Sequence, residues 1–157
     1  MKNGGLKMIK KGKKAPDFTL KDQNGKEVRL SDFKGRKVLL SFHPLAWTGV
    51  CAKQMQSLEK NKEKFRKLNA IALGINVDPV PSKAAWAKAL RIKNTKLLSD
   101  FWPHGEVARK YGIFSKSQGF SLRVNIIIDE KGKVVFVKKY PISELPDIKE
   151  ILEVIPK

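Results

Sequence analysis

Cysteine, histidine and acid are all scarce in this chain. Only one cysteine, Cys51, stands among 157 residues. A lone thiol excludes an internal disulfide framework and any metal cluster built from cysteines alone. The two histidines, His43 and His104, are too few and too far apart to suggest a zinc site, so neither a metal nor a cofactor is expected. Long apolar runs are missing too. None approaches the ~20 residues that cross a bilayer, which excludes a membrane-spanning helix. Repeats and low-complexity linkers are absent, and nothing marks a second domain. What is present is a 41% hydrophobic content, enough for a packed core in a chain of single-domain length.

Acidic residues number 15 against 33 Lys and Arg, a net charge of +18. Such a field attracts nucleic acid or anionic surfaces non-specifically, most of all at low salt. Part of it sits in residues 1–14, at Lys2, Lys7, Lys10, Lys11, Lys13 and Lys14. No aromatic residues interleave with these lysines, so the segment reads as a solvated basic arm more than as a nucleic-acid or anionic-lipid tether, with the folded domain spanning 15–157. No apolar stretch follows the basic one, so no secretory signal is expected, and the cytoplasm is the expected compartment.

Phe18–Leu20 and Glu27–Leu30 flank Asn24-Gly25, the chemistry of a hairpin turn. Val38–Phe42 is almost uniformly apolar, as a strand buried on both faces is, and Ala70–Ile75 reads likewise. Between them, 51–68 carries Met55, Leu58, Phe65 and Leu68 along one side of a helix. Helices are also expected over Ser82–Leu90, with Ser82 as its cap, and over Glu106–Tyr111, closed by Gly112. Leu97-Leu98 form a short strand. Val124–Ile128 and Val134–Val137 pair through Asp129-Glu130-Lys131-Gly132. A last helix from about Ser143 buries Leu145, Ile148, Leu152 and Ile155. Strands alternating with helices predict an α/β fold, a mixed central sheet with helices on both faces and an N-terminal β-hairpin. That layout is similar to the thioredoxin-like fold.

The chemistry concentrates in Phe42-His43-Pro44-Leu45-Ala46-Trp47-Thr48-Gly49-Val50-Cys51. This stretch leaves a buried strand and sets Cys51 at the start of a helix. Free amides and the positive end of the helix dipole favour a thiolate there, and the thiolate is the nucleophilic form. Cys51, Met55 and Leu58 fall at i, i+4 and i+7, so the sulfur faces inward. Free cysteines are often inert small hydrophobes; the flanking residues point the other way.

Pro44, Thr48 and Cys51 stand as P-x-x-x-T-x-x-C, which resembles the peroxidatic motif of the peroxiredoxin family. Arg123, at the head of Val124–Ile128, fits the family's distant arginine. Ala15-Pro16-Asp17-Phe18 resembles its opening A-P-D-F, and Leu97-Leu98-Ser99-Asp100-Phe101-Trp102-Pro103 with Tyr111-Gly112 resembles a stretch of the AhpE-like branch. The likeness runs from about residue 14 to 139. It implies a thiol-dependent peroxidase in which Cys51 attacks hydrogen peroxide or an organic hydroperoxide, becomes a sulfenic acid, and is recycled by an external thiol. It further implies that Arg123 holds the thiolate and the peroxide, that Thr48 hydrogen-bonds the peroxide, and that Pro44 shields the sulfenic acid. With no second cysteine, the chain resembles the one-cysteine type.

Gln54 stands where the family commonly carries an acid, so the network around Arg123 is expected to be altered. His43 either contacts the sulfur or packs beside the pocket, and His104 reads as an ordinary loop residue. Phe42, Trp47 and Trp102 are candidates to line an apolar pocket at the sulfur, which would favour organic hydroperoxides. Among partners the resemblance implies a homodimer, with a decamer as the larger alternative. A non-catalytic module on the same fold, either a basic nucleic-acid binder or a redox sensor, is the competing reading, since fold alone does not dictate function.

Overall fold

The computed structural model describes residues 7–157. In chain order its elements are β1 (Thr19–Lys21), β2 (Glu27–Arg29), a 3₁₀ turn (Leu30–Phe33), β3 (Lys37–Phe42), α1 (Gly49–Lys60), α2 (Lys62–Lys67), β4 (Ala70–Asn76) and α3 (Val80–Leu90). They continue through β5 (Lys96–Ser99), α4 (Glu106–Lys110), β6 (Phe114–Ser115), β7 (Phe120–Ser121), β8 (Arg123–Ile128), β9 (Val134–Tyr140) and α5 (Ile148–Val154). The main sheet runs β2-β1-β5-β4-β3-β8-β9. β3, β4 and β5 are parallel, whereas β8, β9, β1 and β2 pair antiparallel. The α/β thioredoxin-like reading of the sequence is therefore the fold observed.

Every residue of β3 and of β8 is buried. Alternation then sorts their side chains into two cores. Leu40, Phe42, Val124 and Ile126 pack with Val107, Ala108 and Tyr111 on one face. Leu39, Ile127, Cys51, Met55, Leu58, Trp86 and Ile151 pack on the other. Each fully buried aliphatic chain of this kind contributes about 1.5–3 kcal/mol. The central strands thus form a rigid floor, and Cys51 belongs to the second core.

Three helices differ from expectation. The helix expected over 51–68 breaks at Asn61, whose Nδ2 donates to the Ser57 carbonyl and whose own N–H is shared between Ser57 and Leu58. A side chain competing for helix carbonyls in this way bends the chain. α3 is entered from Pro79 rather than capped by Ser82, with Pro81 tolerated in the first turn. α5 begins at Ile148, where the Asp147 carboxylate accepts from Lys149 N–H, not near Ser143. Pro146 disfavours helix at the residue before it, and Leu145 is exposed.

The basic N-terminal segment joins the fold earlier than residue 15. Ile9 N–H donates to Tyr111 O, Gly12 N–H to Val134 O, and Val134 N–H to Lys13 O. Met8 and Ile9 pack against the first core. This segment crosses Gly112, whose φ of +72° and closeness to the Lys7 carbonyl leave no room for a side chain. Lys2 lies outside the described residues.

Glu59, near the end of α1, ties that helix to the loop before β5. Its carboxylate accepts from the N–H groups of Lys93, Asn94 and Thr95 and from the Thr95 hydroxyl. Burial pushes its pKa up, but these hydrogen bonds outweigh it and hold the group down at about 2. A depressed carboxylate stabilises the fold above its unfolded value and loses that contribution as pH falls towards 2. Glu59→Gln should therefore cost about 1–3 kcal/mol at pH 7. It should also flatten the acid limb of a denaturation-against-pH series between pH 4.5 and 2.

Candidate active site

The loop from β3 to α1 carries Cys51 to the first turn of α1, one of the sites where helix amides lack partners within the helix. The first intrahelical bond runs from Ala52 N–H to Thr48 O. Cys51 is only 1% exposed and sits beside Met55 and Leu58, as its spacing predicted.

Arg123 enters from the start of β8, the strand that pairs with β3 and so aims its first residue at the Cys51 loop. It is 2% exposed. Its Nη1 donates to Cys51 Sγ at 3.4 Å and to Gln54 Oε1 at 2.6 Å. Nε and Nη2 both donate to the Ile142 carbonyl, at 3.1 and 2.7 Å. Gln54 in turn donates through Nε2 to Ser41 Oγ at 2.7 Å. The network expected to change at Gln54 is thus complete with a neutral amide. The amide oxygen orients the guanidinium without neutralising it, so the positive charge stays directed at sulfur.

Thr48 Oγ1 donates to the Leu45 carbonyl at 2.8 Å. Its proton is committed, and its lone pairs are the acceptor it offers elsewhere. Pro44, Leu45, Thr48, Gly49, Val50, Cys51, Phe120, Arg123 and Ile142 surround an opening of about 270 Å³. The structure brings Cys51, Thr48, Arg123 and Pro44 together there, with Gln54 directly behind Arg123.

Other candidates lie elsewhere. Phe42 points to the opposite face of β3 and packs 5.9 Å from the Tyr111 ring. Trp47 is turned outward by a φ of +66°, is 57% exposed, and donates to Ser82 Oγ. Trp102 is 79% exposed. None of the three lines the opening. Phe120 and Ile142 take the place they were expected to fill. Both come from chain segments far from the motif, and neither belongs to a periodic pattern that sequence reading could use.

His43 is fully buried and does not bond the sulfur. Its Nδ1 donates to Ser41 O at 3.1 Å, and Nε2 accepts from Asn76 Nδ2 at 3.0 Å. Burial first, then the Lys83 cation, holds its pKa well below the usual 6.5, so the ring is neutral. Its ring lies 5.6 Å from that of Trp86. His104, in the loop between β5 and α4, donates to the Gly119 carbonyl in the β6–β7 turn.

Residues 11–137 match the AhpC/TSA family. The chain belongs to that family. It is 39% identical over 141 residues to alkyl hydroperoxide reductase E of Mycobacterium tuberculosis, covering 89% of this chain and 92% of the relative. It is 37% identical over 148 residues to the chloroplastic peroxiredoxin Q of Triticum aestivum, covering 94% of this chain and 67% of the relative. Among solved structures, the reduced 2-Cys peroxiredoxin of Plasmodium vivax superposes with a TM-score of 0.85 at 31% identity, over 94% of this chain and 80% of that one. The peroxidoxin BcpB of Mycobacterium tuberculosis superposes at 0.81 with 29% identity, over 94% of this chain and 96% of that one. As an AhpC/TSA member the chain is a thiol-dependent peroxidase, and its single cysteine fits the one-cysteine type. Among the described residues no helix is long and apolar enough to cross a membrane.

Proposed function

We propose that Cys51 is the peroxidatic nucleophile of this AhpC/TSA peroxidase and that Arg123, Thr48 and Pro44 assist it. The reading rests chiefly on the 3.4 Å contact between Arg123 Nη1 and Cys51 Sγ in a buried pocket open on one side. The thiolate sulfur attacks one peroxide oxygen; a sulfur–oxygen bond forms as the oxygen–oxygen bond breaks. The departing alkoxide or hydroxide takes up a proton, and Cys51 is left as a sulfenic acid, oxidised by two electrons. Arg123 stabilises charge that moves from sulfur to the leaving oxygen, where low local polarity strengthens its effect. Thr48 Oγ1 accepts a hydrogen bond from the peroxide O–H because its own proton is held by the Leu45 carbonyl. Pro44 covers the product sulfur without offering an N–H.

An external thiol then attacks the sulfenic sulfur, releasing water and forming a mixed disulfide. A second thiol restores Cys51 and leaves as the disulfide. Leu45, Val50, Phe120 and Ile142 give the opening an apolar rim, which supports organic hydroperoxides as substrates beside hydrogen peroxide. A second copy of the chain is the expected partner, with Trp47, Phe101 and Trp102 as exposed aromatic surface. The competing reading as a non-catalytic basic module finds no support in a site so fully arranged around one sulfur.

One equivalent of hydroperoxide should be consumed per chain without reductant, yielding a sulfenic acid that dimedone traps on Cys51. No adduct, with peroxide unconsumed, contradicts the reading.

A further inference from the structure

Lys83 is the side chain that the peroxidase reading leaves unused and that burial makes most conspicuous. It lies in the second turn of α3 and is 0% exposed. Its Nζ has no hydrogen-bond partner. A buried ammonium without a partner is costly, and removing it for an apolar chain is often neutral or stabilising. Its place in the core, on the helix whose start is tied to the active-site loop, therefore calls for a reason.

The start of α3 is bound to that loop. Asp78, just before the helix, accepts from Ala46 N–H at 3.0 Å, and Ser82 accepts from the Trp47 indole at 3.1 Å. Trp86, one turn on, faces His43. Around Lys83 stand Asp78 from the β4–α3 loop, Asp100 from the end of β5, and Cys51 from α1, each favouring its charged form. His43 lies nearby from the end of β3 and feels both Lys83 and Arg123 as neighbouring cations. The carboxylates have other donors: Asp78 serves Ala46 and Ser82, and Asp100 serves the N–H groups of Val107 and Ala108. Cys51 has Arg123 as its side-chain donor.

We propose that Lys83 is a positioning residue for the peroxidase reaction, a second buried cation whose charge is coupled to that of the Cys51 thiolate. This rests on Cys51 being the nucleophile. Arg123 touches the sulfur; Lys83 acts through space, from the α3 side. Coupling between two titrating groups is reciprocal, so whatever the thiolate does for the ammonium, the ammonium does for the thiolate. Burial lowers the Lys83 pKa to about 7, and the nearby negative groups oppose that lowering. The ammonium is thus poised where a change on sulfur alters its occupancy. Oxidation to a neutral sulfenic acid removes the negative partner and loosens the Lys83 proton. Site charge is thereby tied to redox state.

Lys83→Met keeps the size and removes the charge. Thiolate absorbance near 240 nm, followed against pH, should show the Cys51 midpoint displaced upward by about one pH unit, a tenfold loss of thiolate on the acid side. The second-order rate with hydroperoxide should follow the same displaced profile and converge with wild type at high pH. A purely structural lysine would alter thermal stability and leave that midpoint unmoved. The reciprocal measurement leaves Lys83 in place: its ¹³Cε shift is titrated in wild type and in Cys51→Ser. The Lys83 midpoint should fall in Cys51→Ser. Displacement of both midpoints supports the proposal. An unmoved Lys83 midpoint in Cys51→Ser overturns it, whether or not Lys83→Met folds, as does an unmoved thiolate midpoint in folded Lys83→Met. Neither readout requires turnover. Absent coupling leaves the peroxidase reading resting on Arg123, and absent peroxide chemistry leaves the coupling measurable.

Discussion

Cys51→Ser should abolish hydroperoxide reduction while leaving the fold intact. Serine matches the shape of the thiol in a pocket where the side chain is 1% exposed, so packing changes little. The hydroxyl, however, is not ionised beside Arg123 at neutral pH and cannot be oxidised reversibly. Loss of activity should be complete within assay sensitivity, with circular dichroism unchanged. Peroxide reduction surviving at an appreciable fraction of wild type would remove Cys51 from the mechanism, because no other sulfur nucleophile of this kind exists in the chain.

Arg123→Met should lower the second-order rate of Cys51 oxidation by about 10²–10³-fold, the usual cost of losing one preorganised donor at a developing negative charge. Two effects combine in that figure. The sulfur loses its 3.4 Å donor, and the leaving oxygen loses its stabilising cation. Rapid-mixing rates across a pH series separate them. The first displaces the profile to higher pH, and the second lowers the plateau where the sulfur is ionised. Arg123→Lys should recover little of the loss. An ammonium keeps the charge but lacks the fork that reaches Cys51, Gln54 and the Ile142 carbonyl together. A lysine variant with wild-type kinetics would reduce the role of Arg123 to charge alone.

Much of the scaffold was legible because its signals are local. The uniformly apolar Val38–Phe42 and Val124–Ile128 are buried strands, and Asn24-Gly25 lies in the β1–β2 turn. The break at Asn61 was hidden because the apolar spacing continues through it; one side-chain hydrogen bond decides it. Likewise Pro146 outweighed the apolar pattern that suggested an earlier start for α5.

At the site, Cys51, Thr48, Pro44 and Arg123 could be nominated because residue type and position carry their chemistry. Gln54 stands out in the sequence as a departure, but its bridging of Arg123 and Ser41 depends on the face that α1 turns to β3. Phe120 and Ile142 meet the opening through the ends of β7 and β9, a juxtaposition that only the sheet creates. Aromatic residues near the motif are the lining that sequence proximity alone suggests. Strand alternation sent Phe42 to the other core, and the left-handed turn sent Trp47 to solvent. Lys83 was the least legible of all, since a lysine in an alanine-rich helix looks like surface until the helix is docked.

The most direct test of the account is a stopped-flow measurement of Cys51 oxidation by hydrogen peroxide and by a bulkier organic hydroperoxide at pH 7. The account predicts second-order rates far above that of free cysteine for both, with the organic hydroperoxide at least as fast. A rate no greater than that of the free amino acid would show that the arrangement around the sulfur does not activate it.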